Sequence, residues 1–276
     1  KSIALDGNNW TNVSDDATDP DWGDKKQYSF LHNGKTLASY EARTGISEIL
    51  DDTILNYGLS TQLNNQLFVA DCYHPQLTAP SEDIKNYIFK SRPYNYDQFN
   101  YVQDFLALPT TPTAIIGFRG RIYVFDENNM YKIEPNNFYI EDTIEGIGCL
   151  SADAVYANDY GMCIADSNNI YLYDGSRPIP IGESILKGSD VSWENRDTSF
   201  NSKVTFDSSR KCFVVFFKTT ETVASSISHT GTALSSGYFA WAYNLQRKRW
   251  DCWYITGSST KKPKSILLGK NGEIIY

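Results

Sequence analysis

The chain is poor in the residues that most often carry chemistry. Among its 276 residues are two Met and three His, and its five Cys include no CxxC pair. The histidines, His32, His74 and His229, are far apart. None has a second His four residues on or a Glu at zinc-ligand spacing, so no local zinc motif is written here. There is no GxSxG elbow, no GxxxxGK[ST] phosphate loop and no HExxH, which removes the common signatures of esterases, P-loop nucleotide enzymes and zinc proteases. The cysteines, Cys72, Cys149, Cys163, Cys212 and Cys252, are odd in number and irregularly spaced, which argues against a disulfide framework. Cys163 and Cys212 sit in apolar runs, where a free thiol packs as a small hydrophobe. Reduced core thiols, as in a reducing cytoplasm, are therefore expected. No apolar stretch approaches the roughly twenty residues a membrane helix needs, and no apolar period of about 3.6 residues is sustained. With a net charge of −8 and a pI near 4.9, the chain is ill suited to holding nucleic acid by neutralising phosphates. A surface past which nucleic acid slides without sticking remains compatible with that balance.

What the chain has in abundance is aromatic residues, with nineteen Tyr and fourteen Phe. These residues, like Val and Thr, fit a pleated, half-buried surface, and an all-β reading follows. The strongest signal is an internal repeat. Arg121-Ile-Tyr-Val-Phe-Asp-Glu-Asn-Asn-Met-Tyr-Lys-Ile-Glu-Pro135 aligns without gaps with Gly161-Met-Cys-Ile-Ala-Asp-Ser-Asn-Asn-Ile-Tyr-Leu-Tyr-Asp-Gly175. Each copy has an apolar run, a polar turn ending in Asn-Asn and a second run carrying an aromatic. Hairpins recurring at roughly forty residues are the mark of β-propeller blades. The expected fold is a β-propeller-like array of antiparallel hairpin blades, four or five in number. The chain opens at Lys1 without an initiator Met or signal peptide and stops at Tyr276 inside an expected strand, so it reads as an incomplete array or part of something longer.

Two regions are expected. Residues 1–63 form a polar, acidic N-terminal segment whose Glu41–Leu63 stretch is the best candidate for a short helix, interrupted by Gly45 and Gly58. Residues 64–276 form the propeller-like domain, with strand signals from Asn64-Asn-Gln-Leu-Phe-Val-Ala-Asp71 onward. Further strands are expected at Tyr87–Lys90, Lys203–Phe217 with a turn at Asp207–Arg210, and Tyr238–Tyr254 with a turn at Gln246–Lys248. Gly182–Gly188 is expected to make one helical turn, and Thr219–Ser236, rich in Ser and Thr, a long loop. Gly117, Gly120 and Gly175 are read as turn or positive-φ positions.

Asp71, Asp126 and Asp166 each follow four apolar residues. Their simplest role is to cap the turn where the strand reverses. A glycosidase would instead need two carboxylates about 5–10 Å apart, one with a raised pKa. One Asp recurring in the same turn is better explained by the turn. Trp193, Trp241, Trp250 and Trp253 are expected to pack between blades, with stacking on sugars as the competing use. Asp19-Pro-Asp21-Trp-Gly23-Asp24 has the oxygen density calcium favours but lacks the closing Glu of an EF-hand. Arg247-Lys-Arg249 and Lys261-Lys-Pro-Lys264 are short basic patches, able to meet phosphate or an acidic neighbour. No catalytic, cofactor-binding or metal-binding residue is assigned.

Three stretches carry a resemblance. They are Ile115-Ile-Gly-Phe-Arg-Gly-Arg-Ile-Tyr-Val-Phe125, Gly148 through Gly175, and Phe206-Asp-Ser-Ser-Arg-Lys-Cys-Phe-Val-Val215 with Asn244-Leu-Gln-Arg-Lys-Arg-Trp250. From about Pro109 to Tyr276 the chain resembles the propeller-containing tail nozzle or DNA-stabilisation proteins of short-tailed bacteriophages. Residues 1–108 and the Ser/Thr loop around His229 match nothing in that pattern. The resemblance implies a non-enzymatic structural virion component, assembled in the host cytoplasm and needing no cofactor. It further implies a homo-oligomeric ring, sixfold in such tails, that contacts portal, adaptor and other tail proteins. DNA would pass through without specific binding, and no membrane would be entered. A carbohydrate-binding or glycoside-hydrolysing β-propeller is the alternative.

Overall fold

Short runs rich in aromatic and aliphatic residues, favoured on a pleated and buried surface, set most of the elements, and the elements are strands. The computed structural model describes residues 3–6, 9–12, 31–32, 35–36, 56–73, 84–99, 103–188, 191–219, 237–256, 267–268 and 274–275. The chain divides into two units, Lys1–Val124 with Tyr131–Asp142, and Phe125–Met130 with Thr143–Tyr276. The protein is all-β and its sheets are antiparallel.

In the first unit, β1 (Ile3–Asp6) and β2 (Asn9–Asn12) form a hairpin. A larger sheet runs β3 (Leu31–His32), β4 (Lys35–Thr36), β5 (Asn56–Leu63), β6 (Gln66–Tyr73), β7 (Tyr87–Arg92) and β8 (Asn95–Phe99), with β9 (Phe105–Ala107) also on β7. Inside it, β5, β6, β7 and β9 trace a four-stranded antiparallel path. A second four-stranded sheet has its strands in simple order: β10 (Ala114–Phe118), β11 (Arg121–Phe125), β12 (Asn129–Glu134) and β13 (Tyr139–Glu145). Leu59, Phe68, Ile88, Ile115, Ile122 and Ile133 share one core of this unit, and β5 lies against β10. Gly117 donates its N–H to Thr61 Oγ1 at 3.0 Å, and a Cβ on it would stand 3.4 Å from the Gln62 carbonyl. It is thus a glycine within β10 without a positive φ, not the turn glycine expected. Gly120 and Gly175 do have positive φ, 74° and 104°.

Two further expectations are corrected by the fold. The proposed helix over Glu41–Leu63 is contradicted from Asn56 onward, where β5 pairs with β6 through to Leu63↔Gln66. Leu59 is buried between exposed Gly58 and Ser60, a period of two, and Gly58 disfavours a helix. A boundary between 63 and 64 would therefore cut a hairpin. Residues 41–55 lie outside the described ones. Asp71 is the second correction, since it sits within β6 and caps no turn. Phe68 and Ala70 face one core, while Val69 and Cys72 face another, so side-chain alternation slips between 70 and 72. Asp71 makes the slip by adopting φ 51°, a conformation Asp tolerates better than most residues. Its carboxylate lies over Gly58, where a Cβ would come within 2.3 Å of Oδ2.

The second unit holds two more four-stranded meanders. One runs β14 (Val155–Asn158), β15 (Gly161–Ala165), β16 (Ile170–Tyr173) and β17 (Pro178–Pro180); the other runs β18 (Lys203–Asp207), β19 (Cys212–Thr219), β20 (Gly237–Asn244) and β21 (Arg249–Thr256). A short pair, β22 (Leu267–Leu268) and β23 (Ile274–Ile275), completes it. The expected single turn within Gly182–Gly188 is a 3-10 turn at Glu183–Ile185. All five residues of β15 are buried, as are seven of the eight in β19, so these strands are covered on both faces. Three of the outer strands are blunted against pairing with other chains. β9 has three residues, β13 exposes Glu141, Asp142 and Glu145, and β17 carries two prolines. The loop expected at Thr219–Ser236 lies outside the described residues apart from Thr219.

Candidate functional site

The gapless repeat becomes two superposable turns in the second unit. After β11, Asp126 N–H donates to the Asn129 carbonyl at 3.0 Å, and Asp126 Oδ1 accepts from the amides of Asn128 (2.7 Å) and Asn129 (2.6 Å). After β15, Asp166 N–H donates to the Asn169 carbonyl at 3.0 Å, and its Oδ1 accepts from the amides of Asn168 and Asn169. Both carboxylates are only 2% exposed. The turn-capping expectation for Asp126 and Asp166 is met, because a carboxylate aimed at successive amides satisfies donors that the reversing strand leaves behind. Asp207 caps the β18–β19 turn in the same manner, through Ser209 and Arg210 amides at 2.9 and 3.0 Å.

These turns also fasten segments further along the chain. The Asp126 carbonyl accepts from Cys149 N–H at 3.0 Å, and Gly148 N–H approaches Asp166 Oδ2 at 3.4 Å. Gly148 is required there, since a Cβ would stand 2.1 Å from the Glu127 carbonyl. The Asp166 carbonyl accepts the indole N–H of Trp193 at 3.1 Å. Trp193 is buried, edge-on to Phe217 at 5.8 Å, with the Arg196 guanidinium 5.0 Å over its ring. Burial lowers the Arg196 pKa, and the neighbouring Asp166 charge opposes that shift. Trp241 and Trp250 repeat the device, donating to the carbonyls of Val191 (2.8 Å) and Ile181 (2.6 Å). Trp253's side chain lies outside the described set. The sequence announced the aspartates through the repeat. It carried no signal for their pairing with Trp193, 27 residues on, beyond the presence of an apolar Trp in a polar linker.

Chemically, this constellation is equipped to hold strands and linkers together. A carboxylate 2% exposed and engaged by turn amides reaches a glycosidic oxygen only if its turn opens. Among the described residues no group of three or more His, Cys, Asp or Glu is placed to hold a metal ion. All five cysteines are free, four of them buried and Cys252 exposed. Burial pushes the Cys149 thiol up to about 12 and those of Cys72 and Cys163 higher still. His32 falls in β3, whereas His74, His229, the Asp19–Asp24 cluster and Lys261–Lys264 lie outside the described residues. Arg247 to Arg249 are exposed at the β20–β21 turn, and Arg249 pairs with Asp251 at 3.2 Å.

Fold and site together define an antiparallel all-β protein of successive four-stranded meanders, braced by buried aspartates and tryptophans. No protein-family model and no curated protein matches the chain. Among solved structures, the extracellular domain of a hybrid two-component system from B. thetaiotaomicron aligns with a TM-score of 0.47 and 13% identity, over 91% of this chain and 30% of that one. An exported protein from Bacteroides fragilis aligns with a TM-score of 0.35 and 10% identity, over 72% of this chain and 71% of that one. The chain thus spans about a third of the length of the first. Neither likeness is close enough to bear on what this chain does.

Proposed function

We propose that this chain is a non-enzymatic structural component of a short-tailed bacteriophage tail. Its meanders would be successive blades of a propeller-like array, and its copies would form a ring around the DNA exit channel. The observation that carries the scaffold part is the packing of first strand on first strand, β5 against β10 and β14 against β18, in consecutive meanders. That is how blades succeed one another in a propeller. The buried Asp–Trp bracing suits a rigid support, and blunted outer strands suit a surface that must not pair at random. The tail assignment itself rests on the sequence resemblance over about residues 109–276. The net charge of −8 suits a channel that DNA passes without being retained. Portal, adaptor and other tail proteins are the partners this reading names, and the virion its location.

Light scattering on the chain alone and with portal or adaptor protein tests the reading. A ring-sized assembly, formed alone or on adding those proteins, supports it. A chain that stays single in their presence overturns it, and glycan binding would then be screened.

A further inference from the structure

The two sheets of the second unit run the same way. Tyr160, in the β14–β15 turn, stacks on Phe206 near the end of β18, with ring centroids 5.4 Å apart and planes at 27°. Asp153, just before β14, pairs with Lys203, the first residue of β18. Those two contacts place the starts of β14 and β18 together and their ends together. The Leu245 N–H donates to the Lys211 carbonyl at 3.2 Å, which brings the β20–β21 turn to that same end.

This end is basic and carries an exposed aromatic. Arg210, Lys211, Arg247 and Lys248 are exposed there, and Lys211 Nζ lies 6.0 Å from the Tyr160 ring. Arg210 is 3.9 Å from its own turn's Asp207 yet 64% exposed. Asp159 and, in the β16–β17 turn, Asp174 are the exposed acids described at this end, where Arg177 is exposed as well. Tyr160 is held by its stacking on Phe206 while remaining 52% exposed. A tyrosine already fixed in place loses little freedom on being covered.

Among the described residues the opposite end is acidic. β19 has eight residues, so the two ends are about 24 Å apart. The linker before β18 is pinned at the far end by Gly182 N–H to the Ile170 carbonyl (3.2 Å) and Asp197 N–H to the Lys218 carbonyl (2.6 Å). It exposes Glu183 and Glu194 there, and the same end holds exposed Glu127, whose backbone faces Gly148, and Asp153. Of the described bases at this end, Lys203 and Lys218 are engaged by Asp153 and Asp197, Arg196 lies on Trp193, and Lys187 is exposed.

We infer that the basic, tyrosine-bearing end docks onto the acidic end of a second copy of this chain. Complementary charge orients such an encounter, and a central aromatic anchors it. The contact joins two different patches, so it repeats head to tail and closes into a ring if the rotation between copies allows. A small basic cluster with Asp159 inside it, on a chain of net charge −8, fits an acidic protein surface better than a nucleic acid. The inference rests on the self-assembly proposed above, but needs neither the tail partners nor the DNA channel.

Sedimentation velocity of the whole chain at low and high salt tests it, with Arg210→Glu plus Lys211→Glu as one variant and Glu183→Lys plus Glu194→Lys as the other. The wild-type chain should self-associate, less so at high salt, and each variant should weaken association by at least about tenfold. An equimolar mixture of the two variants should associate again, which an unfolded chain would not do. If the first variant unfolds, Arg247→Ser with Lys248→Ser replaces it. Assemblies unchanged in both variants overturn the docking surface and leave self-assembly standing. A wild-type chain that remains single at every concentration and salt overturns both. Loss of binding to a labelled oligonucleotide in the first variant, with assembly unchanged, would assign the cluster to nucleic acid and overturn the inference.

Discussion

The indole N–H of Trp193 donates to the carbonyl of Asp166 at 3.1 Å, tying the linker before β18 to the turn after β15. Trp193→Phe keeps a ring against Phe217 but leaves that carbonyl without its donor. It should lower stability by about 1–3 kcal/mol, and Trp193→Ala by about 3–5 kcal/mol, both read as urea midpoints. A Trp193→Phe variant as stable as the wild type would show that the hydrogen bond contributes nothing beyond the packing.

Gly148 faces the backbone of Glu127 so closely that a Cβ would lie 2.1 Å from its carbonyl oxygen. Gly148→Ala must push the 126–129 turn away and weaken the contact of Gly148 N–H with Asp166 Oδ2. A loss of about 1–3 kcal/mol is expected, with no comparable effect from Gly120→Ala on packing, since nothing lies within 4 Å of that position. The latter change should register only the strain of φ 74°.

Asp166→Asn keeps an oxygen for the turn amides, whereas Asp166→Ala removes it. The alanine variant should be the less stable by about 1 kcal/mol or more, and the same order should hold at Asp126. If Asn proved as damaging as Ala in thermal melts, the charge and not the turn geometry would be the reason these residues are aspartates.

Asp197 is held down to about 2 from its ordinary 3.8 by the ammonium of Lys218 and, next, by the Ser199 hydroxyl. A folded-state pKa below the unfolded one stabilises the native state above the unfolded value. That contribution is present above about pH 4 and is lost as pH falls through about 2. The same contact raises Lys218 above its ordinary value, so its share is present below about pH 10 and lost as pH rises through the folded value. The midpoint difference between wild type and Asp197→Asn should be flat at neutral pH and shrink below about pH 4. A difference that persists undiminished at pH 2 would exclude the ion pair as its source.

Among the thiols only Cys252 is exposed. Burial of its surroundings still pushes the Cys252 thiol up to about 11. A thiol reagent should therefore modify one cysteine in the native protein, faster as pH rises, and all five after unfolding, because the others are covered. Fast reaction at a second site would mean that one of the meanders opens readily.

The repeat at 121–135 and 161–175 exposed the hairpins and their aspartate caps to sequence reading because a turn is local: donor and acceptor lie within three residues. The same reading failed at Glu41–Leu63, where scattered Ile and Leu mimic a helix until Gly58 and the alternation around Leu59 are weighed against a partner strand. It failed at Asp71 as well. That residue resembles the caps in its sequence setting, but it faces Gly58 across a hairpin and lies where two cores compete for one strand.

By itself, then, the sequence determined the strand content, the order of the hairpins and the turn chemistry, since each depends on alternation and on side chains a few residues apart. Only the tertiary structure decided which carbonyls the tryptophans reach, why Gly148 must be glycine, and how the charged turns of β18–β21 gather at one end. Those outcomes depend on which surfaces meet once strands far apart in the chain are stacked. Pairs separated by 27, 50 and 69 residues, as at Trp193, Trp241 and Trp250, leave no local pattern to read.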